Sequence, residues 1–138
     1  MSFQLDPRLA GDTHLIGELG LSRLLLMDDA RYPWLILVPR IAGARELFDL
    51  DGSDRATLLA ELDTVGRALE TLLRPDKFNI AALGNVVPQL HVHVVARYSA
   101  DAAWPRPVWG IGERVPYEGG ALARRVAELR EALATVLG

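Results

Sequence analysis

The chain has 138 residues, half of them hydrophobic and 24% charged, with 15 basic against 18 acidic side chains, three histidines and no cysteine. This is about one domain's worth of chain, long enough to bury roughly two-thirds of its unfolded surface, so disordered and fibrous classes are excluded. The missing thiols remove disulfides, thiolate catalysis and thiolate zinc sites, and the net charge of −3 with no basic stripe disfavours a nucleic-acid polymer as partner.

The start, MSFQLDPR, has no positive segment leading into an apolar one, and the apolar runs fall far short of the ~18 residues of a membrane span. A cytoplasmic protein with no membrane partner is expected. Residues 1–20 contain an Asp6-Pro7 turn and an Asp12-Thr13 start signal before His14, and are expected to form a short helical turn or irregular lead-in. Ser22 to Met27 and Trp34 to Val38 are apolar runs of strand length, joined by turn formers from Asp28 to Pro33, which predicts a hairpin. Neither run alternates, as in strands covered on both faces.

Asp51-Gly52-Ser53-Asp54 offers an N-cap cluster, and Leu58, Leu62, Val65, Leu69 and Leu72 then recur at helical spacing, so a helix is expected from about Asp54 to Leu73, stopped by Pro75. Phe78 to Leu83 and Val86 to Arg97 are the next two expected strands, the second carrying Pro88 near its start, where a missing N–H is tolerated. Residues 98–120, rich in Pro, Gly and Trp, form an irregular excursion of a length that is usually functional. Leu122, Val126, Leu129, Leu133 and Val136 place an amphipathic helix over 121–137. Two strands, a helix, two strands and a helix make an α+β domain over 1–138, an antiparallel sheet with helices on one face.

If Val86 to Arg97 is one strand, Gln89, His91 and His93 share a face and Leu90, Val92 and Val94 the opposite one. Three readings suit such a face: a solvated surface holding two imidazoles; a metal site, for which His-x-His supplies two ligands and lacks a companion at motif spacing; or a nucleophilic imidazole, which attacks phosphorus through one ring nitrogen while the other donates its proton to a fixed acceptor. Elsewhere, Trp104 and Trp109 in the Pro-rich loop suit base stacking or anchoring on the core. Arg40 and Arg97 at strand ends suit a phosphate contact or, the commoner case, a solvated strand end, and His14 reads as structural or exposed. Gly110-Ile111-Gly112 lacks the remainder of a dinucleotide fingerprint.

The run Gly84-Asn85-Val86-Val87-Pro88-Gln89-Leu90-His91-Val92-His93-Val94-Val95 resembles the signature of the histidine-triad (HIT) superfamily, His-φ-His-φ-His-φ-φ with φ apolar, preceded by a Gly-Gln pair. Leu24 to Asp29 followed by Trp34 to Arg40 resembles that family's first hairpin, and the likeness spans about residues 22–97. It implies a sheet of about five strands with a central and a C-terminal helix, and a nucleotide hydrolase or transferase acting at an α-phosphate through a nucleotidyl-histidine. His91 then takes the nucleophile's place, His93 the third position beside the phosphate, and Asp28 that of an acidic residue on the ribose hydroxyls. Asn85 replaces the Gln of the pair, and Asn79 matches a phosphate-side asparagine one residue off register. A homodimer pairing its sheets is implied, with a nucleotide as substrate and no obligatory metal or cofactor in the covalent step.

The chain departs from the pattern at Gln89, which stands in the first histidine's place, at Trp34, where many members keep a further histidine, and at Val86, where some keep a phosphate-binding serine. A uridylyltransferase branch has its glutamine at the third position, so its transfer chemistry is not carried over. The expected substrate is a dinucleoside polyphosphate such as diadenosine tetraphosphate, or a nucleoside phosphoramidate or phosphoester. A nucleotide-binding module with little or no turnover is the alternative.

Overall fold

The computed structural model describes residues 2–138. Five antiparallel strands form one sheet in the order β1-β2-β3-β5-β4: β1 is Thr13–Glu18, β2 Ser22–Met27, β3 Trp34–Pro39, β4 Lys77–Ala81 and β5 Val92–Arg97. The helices are α1 (Pro7–Asp12), α2 (Gly52–Leu73) and α3 (Gly119–Ala132), with one turn of 3-10 helix at Leu47–Asp49.

The apolar hairpin forms as expected, and β3 is buried along its whole length because both faces of the sheet are covered. On one face Leu24, Leu26, Leu35, Leu37, Val92 and Val94 pack with Leu58, Val65 and Leu69 of α2 and Leu129 of α3. On the other, Leu25, Trp34, Ile36, Val38 and Val95 pack with Leu9 of α1 and with Ala103 and Val108 of the irregular loop. The α2 stripe is capped as its sequence implies: the Asp51 carboxylate accepts the Asp54 N–H at 2.7 Å, and Arg74, in the left-handed region, ends the helix before Pro75. Leu72, the last member of the expected stripe, is 37% exposed. Glu61 is buried instead, its carboxylate accepting the Leu21 and Ser22 N–H groups in the β1–β2 turn.

Three expectations are corrected. Within residues 1–20 the expected short helical turn is α1, capped by Asp6 and opened by Pro7, but the rest is not irregular: the chain from Thr13 becomes the fifth strand, paired with β2 through a bulge between Leu15 and Gly17. Its cue was weak because an edge strand needs only one buried side chain, here Ile16. The strand expected from Val86 begins at Val92, and β3 opposite it pairs only residues 92–95. Pro88 has no N–H to give, and the Leu90 N–H goes to the Ala44 carbonyl at 2.9 Å, so Gln89 and His91 lie outside the ladder. At the C-terminus α3 ends at Ala132 rather than Leu137 and continues as turns. Leu137 packs on Gly17, where a Cβ would stand 2.9 Å from its methyl, and the Gly138 N–H pairs with the Glu18 carbonyl.

Candidate active site

His93 lies on β5 opposite Ile36 of β3 and Ala81 of β4, on the sheet face away from α2 and α3. His91 sits just before the strand. Their rings are 4.9 Å apart between centroids, and both residues are buried. The hydrogen bonds that each ring makes decide what it can do. Nδ1 of His91 is 2.7 Å from the Gln89 carbonyl oxygen. A carbonyl only accepts, so Nδ1 bears a proton, and in the neutral ring Nε2 keeps its lone pair.

His93 is held the other way round. The indole Nε1–H of Trp34 donates to Nδ1 of His93 at 2.9 Å, so a neutral His93 carries its proton on Nε2. Burial, reinforced by repulsion from His91, pushes the His93 imidazole down to about 3. Nε2 of neither ring has a hydrogen-bond partner among the described residues, and neither atom is sealed from solvent. The pair thus presents one basic nitrogen and one N–H donor side by side.

The loop after β5 walls this pair. Trp109 packs edge-on against His93 and Trp34, with centroids 5.3 and 5.9 Å away. Its anchoring reading holds, and together with Pro105, Pro107, Asn79 and Ala81 it also lines an open cleft of about 560 Å³. The loop is held by Arg97, read from sequence as solvated but only 2% exposed. Its guanidinium makes two bonds to Asp101, at 2.8 and 3.0 Å, and one to the Asn79 side-chain oxygen at 2.8 Å. It also lies over the Tyr32 and Trp104 rings. Asp101 draws further N–H bonds from Tyr98 and Trp104. The Arg97 guanidinium holds the Asp101 carboxyl below the usual carboxylate range against the opposing effect of burial. Strand parity was the missed signal, since Arg97 shares its face with His93 and Val95.

The remaining candidates are dispersed. Asn79 is half-buried at the cleft, and Asn85 is exposed after Gly84, whose φ of +76° makes the turn there. Gln89 is engaged elsewhere: its side-chain oxygen accepts the Asp6 N–H at 2.9 Å and its amide donates to the Gln4 carbonyl at 2.8 Å. Asp28 accepts the Tyr117 N–H at 3.0 Å and lies 3.0 Å from Nε2 of His14. Burial would raise its pKa, but Tyr117, His14 and Arg114 together lower it. His14, set aside from sequence, is therefore the partner of a candidate residue. Arg40 is paired with Glu18 and with the Leu19 and Gly20 carbonyls, a brace for the β1–β2 turn. Among the described residues no three His, Asp or Glu side chains gather as a metal site would require, and no helix is long and apolar enough to cross a membrane.

A five-stranded antiparallel sheet presenting two imidazoles from its central motif is the architecture of a histidine-triad protein. The sequence model of the HIT domain matches residues 8–100, and the chain belongs to that family, whose members include nucleotide hydrolases and transferases as well as non-catalytic proteins. Among solved structures it is similar to a histidine triad protein from Marinobacter aquaeolei VT8, with 46% identity over 99% of each chain and a TM-score of 0.95. It is also similar to one from Bradyrhizobium japonicum, with 48% identity over 96% of this chain and 98% of that one, and a TM-score of 0.93. A third, from Sinorhizobium meliloti 1021, has 46% identity over 95% and 97% of the two chains and a TM-score of 0.92. No curated protein matches the chain.

Proposed function

We propose that this protein is a nucleotide hydrolase that acts at an α-phosphate through a covalent nucleotidyl-His91 intermediate. The observation that carries the reading is the Nδ1 contact of His91 with the Gln89 carbonyl, which fixes the tautomer of the neutral ring so that Nε2 is its nucleophilic, solvent-reaching nitrogen. Attack by Nε2 on the α-phosphorus expels the leaving group with its electron pair, and water then displaces the nucleotide from His91, so one difficult displacement becomes two easier ones. The Nε2–H of His93 is the nearest donor for the phosphoryl oxygens, where a fixed donor stabilises the charge that develops. Asn79 and the one amide hydrogen of Gln89 not spent on Gln4 are further phosphate donors, Asn85 is another within the motif loop, and Asp28 is assigned to the ribose hydroxyls.

The test is to mix the protein with a dinucleoside polyphosphate, quench rapidly, and look for a nucleotidyl adduct on His91 by mass spectrometry. The adduct and released product are expected, and His91→Ala is expected to abolish both while still binding nucleotide. Tight binding with neither adduct nor product overturns the reading in favour of a binding module, which the engagement of Gln89 by the N-terminal segment otherwise favours.

We also propose that two copies pair through β4. It is an edge strand, its Ile80 is 53% exposed, and Ile80 and Phe78 continue into an open groove with Leu59 and Leu62 of α2.

A further inference from the structure

Trp34 stands where many histidine-triad proteins keep an imidazole, and it does more than fill space. Its N–H occupies Nδ1 of His93 at 2.9 Å. For His93 to become an imidazolium it would need a proton on that same nitrogen, and two N–H groups would then point at each other. The groups packed around His93 offer no relief: His91 is beside it, Trp34 and Trp109 cover its ring, and the residue across from it on β4 is Ala81. The charged pair on this face, Arg97 with Asp101, is mutually satisfied, and a guanidinium does not give up a proton. Within residues 84–93 the only titratable side chains are His91 and His93, and Val86 offers no hydroxyl.

We propose that Trp34 is a positioning residue that locks His93 as a neutral Nε2–H donor, leaving the site without a general acid and restricting it to substrates whose leaving group departs as an anion: nucleoside phosphoanhydrides rather than phosphoramidates. This rests on the hydrolase reading above. In the anhydride reaction Nε2 of His91 forms the bond to the α-phosphorus, and the bond from that phosphorus to the bridging oxygen breaks. Its electron pair stays on the departing phosphate, which is stable as an anion at neutral pH. Water then forms a bond to the phosphorus, the phosphorus–nitrogen bond breaks with its pair returning to Nε2, and the water's proton passes to bulk solvent. An amidate must instead expel an amine, whose nitrogen needs a proton before or as it leaves. A positioned acid contributes about 10²–10⁴-fold to such a step, and none is in place.

Two measurements test this, the first of them independently of the hydrolase reading. In the unmodified protein labelled with ¹⁵N at histidine, NMR is expected to show His93 with a bare Nδ1 and a protonated Nε2, unchanged from pH 8 to pH 5. A proton on Nδ1, or titration within that range, overturns the lock whatever the protein turns over. In the second, kcat/KM is compared for a dinucleoside polyphosphate and a nucleoside 5′-phosphoramidate of the same base. The anhydride is expected to be favoured by about 10²-fold or more, and equal or inverted values overturn the proposal. Trp34→Phe keeps an aromatic ring and removes the N–H, so His93 is expected to populate both tautomers and the amidate to gain relative to the anhydride towards low pH. An unaltered His93 spectrum in that variant overturns the role of Trp34. Failure to find the His91 adduct with any nucleotide would refute the hydrolase reading while leaving the tautomer result standing.

Discussion

The buried Arg97–Asp101 pair gives the sharpest test of how the site is held. Asp101→Asn keeps the shape of the side chain and removes its charge. In the native protein Oδ1 accepts from Arg97 Nη2 and the Trp104 N–H, while Oδ2 accepts from Arg97 Nε and the Tyr98 N–H. Whichever way the asparagine amide is turned, its NH₂ faces two of these donors, and the guanidinium loses its counter-charge where the two side chains are only 2% and 5% exposed. Breaking a buried pair by altering one partner costs roughly 3–5 kcal/mol. At about 3–4 °C per kcal/mol for a chain between the small and medium size classes, the melting temperature should fall by roughly 10–20 °C. Calorimetry or near-UV circular dichroism measures this. Arg97→Met combined with Asp101→Asn is expected to lose less than the two single variants summed, because no charge is then stranded. A fall worth less than about 1 kcal/mol for Asp101→Asn, in the range of exposed pairs, would refute the reasoning. The consequence for function follows from Trp109, which rides on the same loop against His93, so the Asp101→Asn variant should also lose turnover below its melting range.

Removing the Gln89 side chain in Gln89→Ala breaks both of its bonds to the N-terminal segment; at about 0.5–1.5 kcal/mol for a hydrogen bond whose partners can be solvated, amide exchange at Asp6 should quicken several-fold, and unchanged protection would show that the segment is held by other contacts. Stability should fall on acidification because of His93. Its folded-state value of about 3 lies below the ordinary value of 6.5, so the unfolded chain binds the extra proton first, and this contribution is complete above about pH 6.5 and declines as the pH drops towards 3. At ~1.4 kcal/mol per unit it is on the order of 5 kcal/mol at most, and His93→Asn should flatten the acid limb of a denaturation series; an equally steep limb would assign the loss to other groups. Ile80→Lys places a charge on the β4 edge, so light scattering on the eluting protein should move from the mass of two chains to that of one; a monomeric parent, or a variant that remains paired, would remove β4 as the contact.

Local rules were enough for much of this protein. Apolar runs without alternation marked β2 and β3 as strands covered on both faces, the Asp51 cap and the leucine stripe marked α2, and the motif around His91 and His93 marked the family, because each signal lies within a few neighbouring residues. The fifth strand escaped them, since Thr13–Glu18 is defined by its pairing with β2 rather than by its own pattern. The site divides in the same way. That two imidazoles stand together was legible in the spacing of His91 and His93, but the role of each depends on the atom that meets its Nδ1. One is the Gln89 carbonyl two residues away, and the other is the Trp34 indole, 59 residues distant along the chain. A proton's place on an imidazole is set by its hydrogen-bond partner, and only the folding of β3 against β5 supplies that partner for His93.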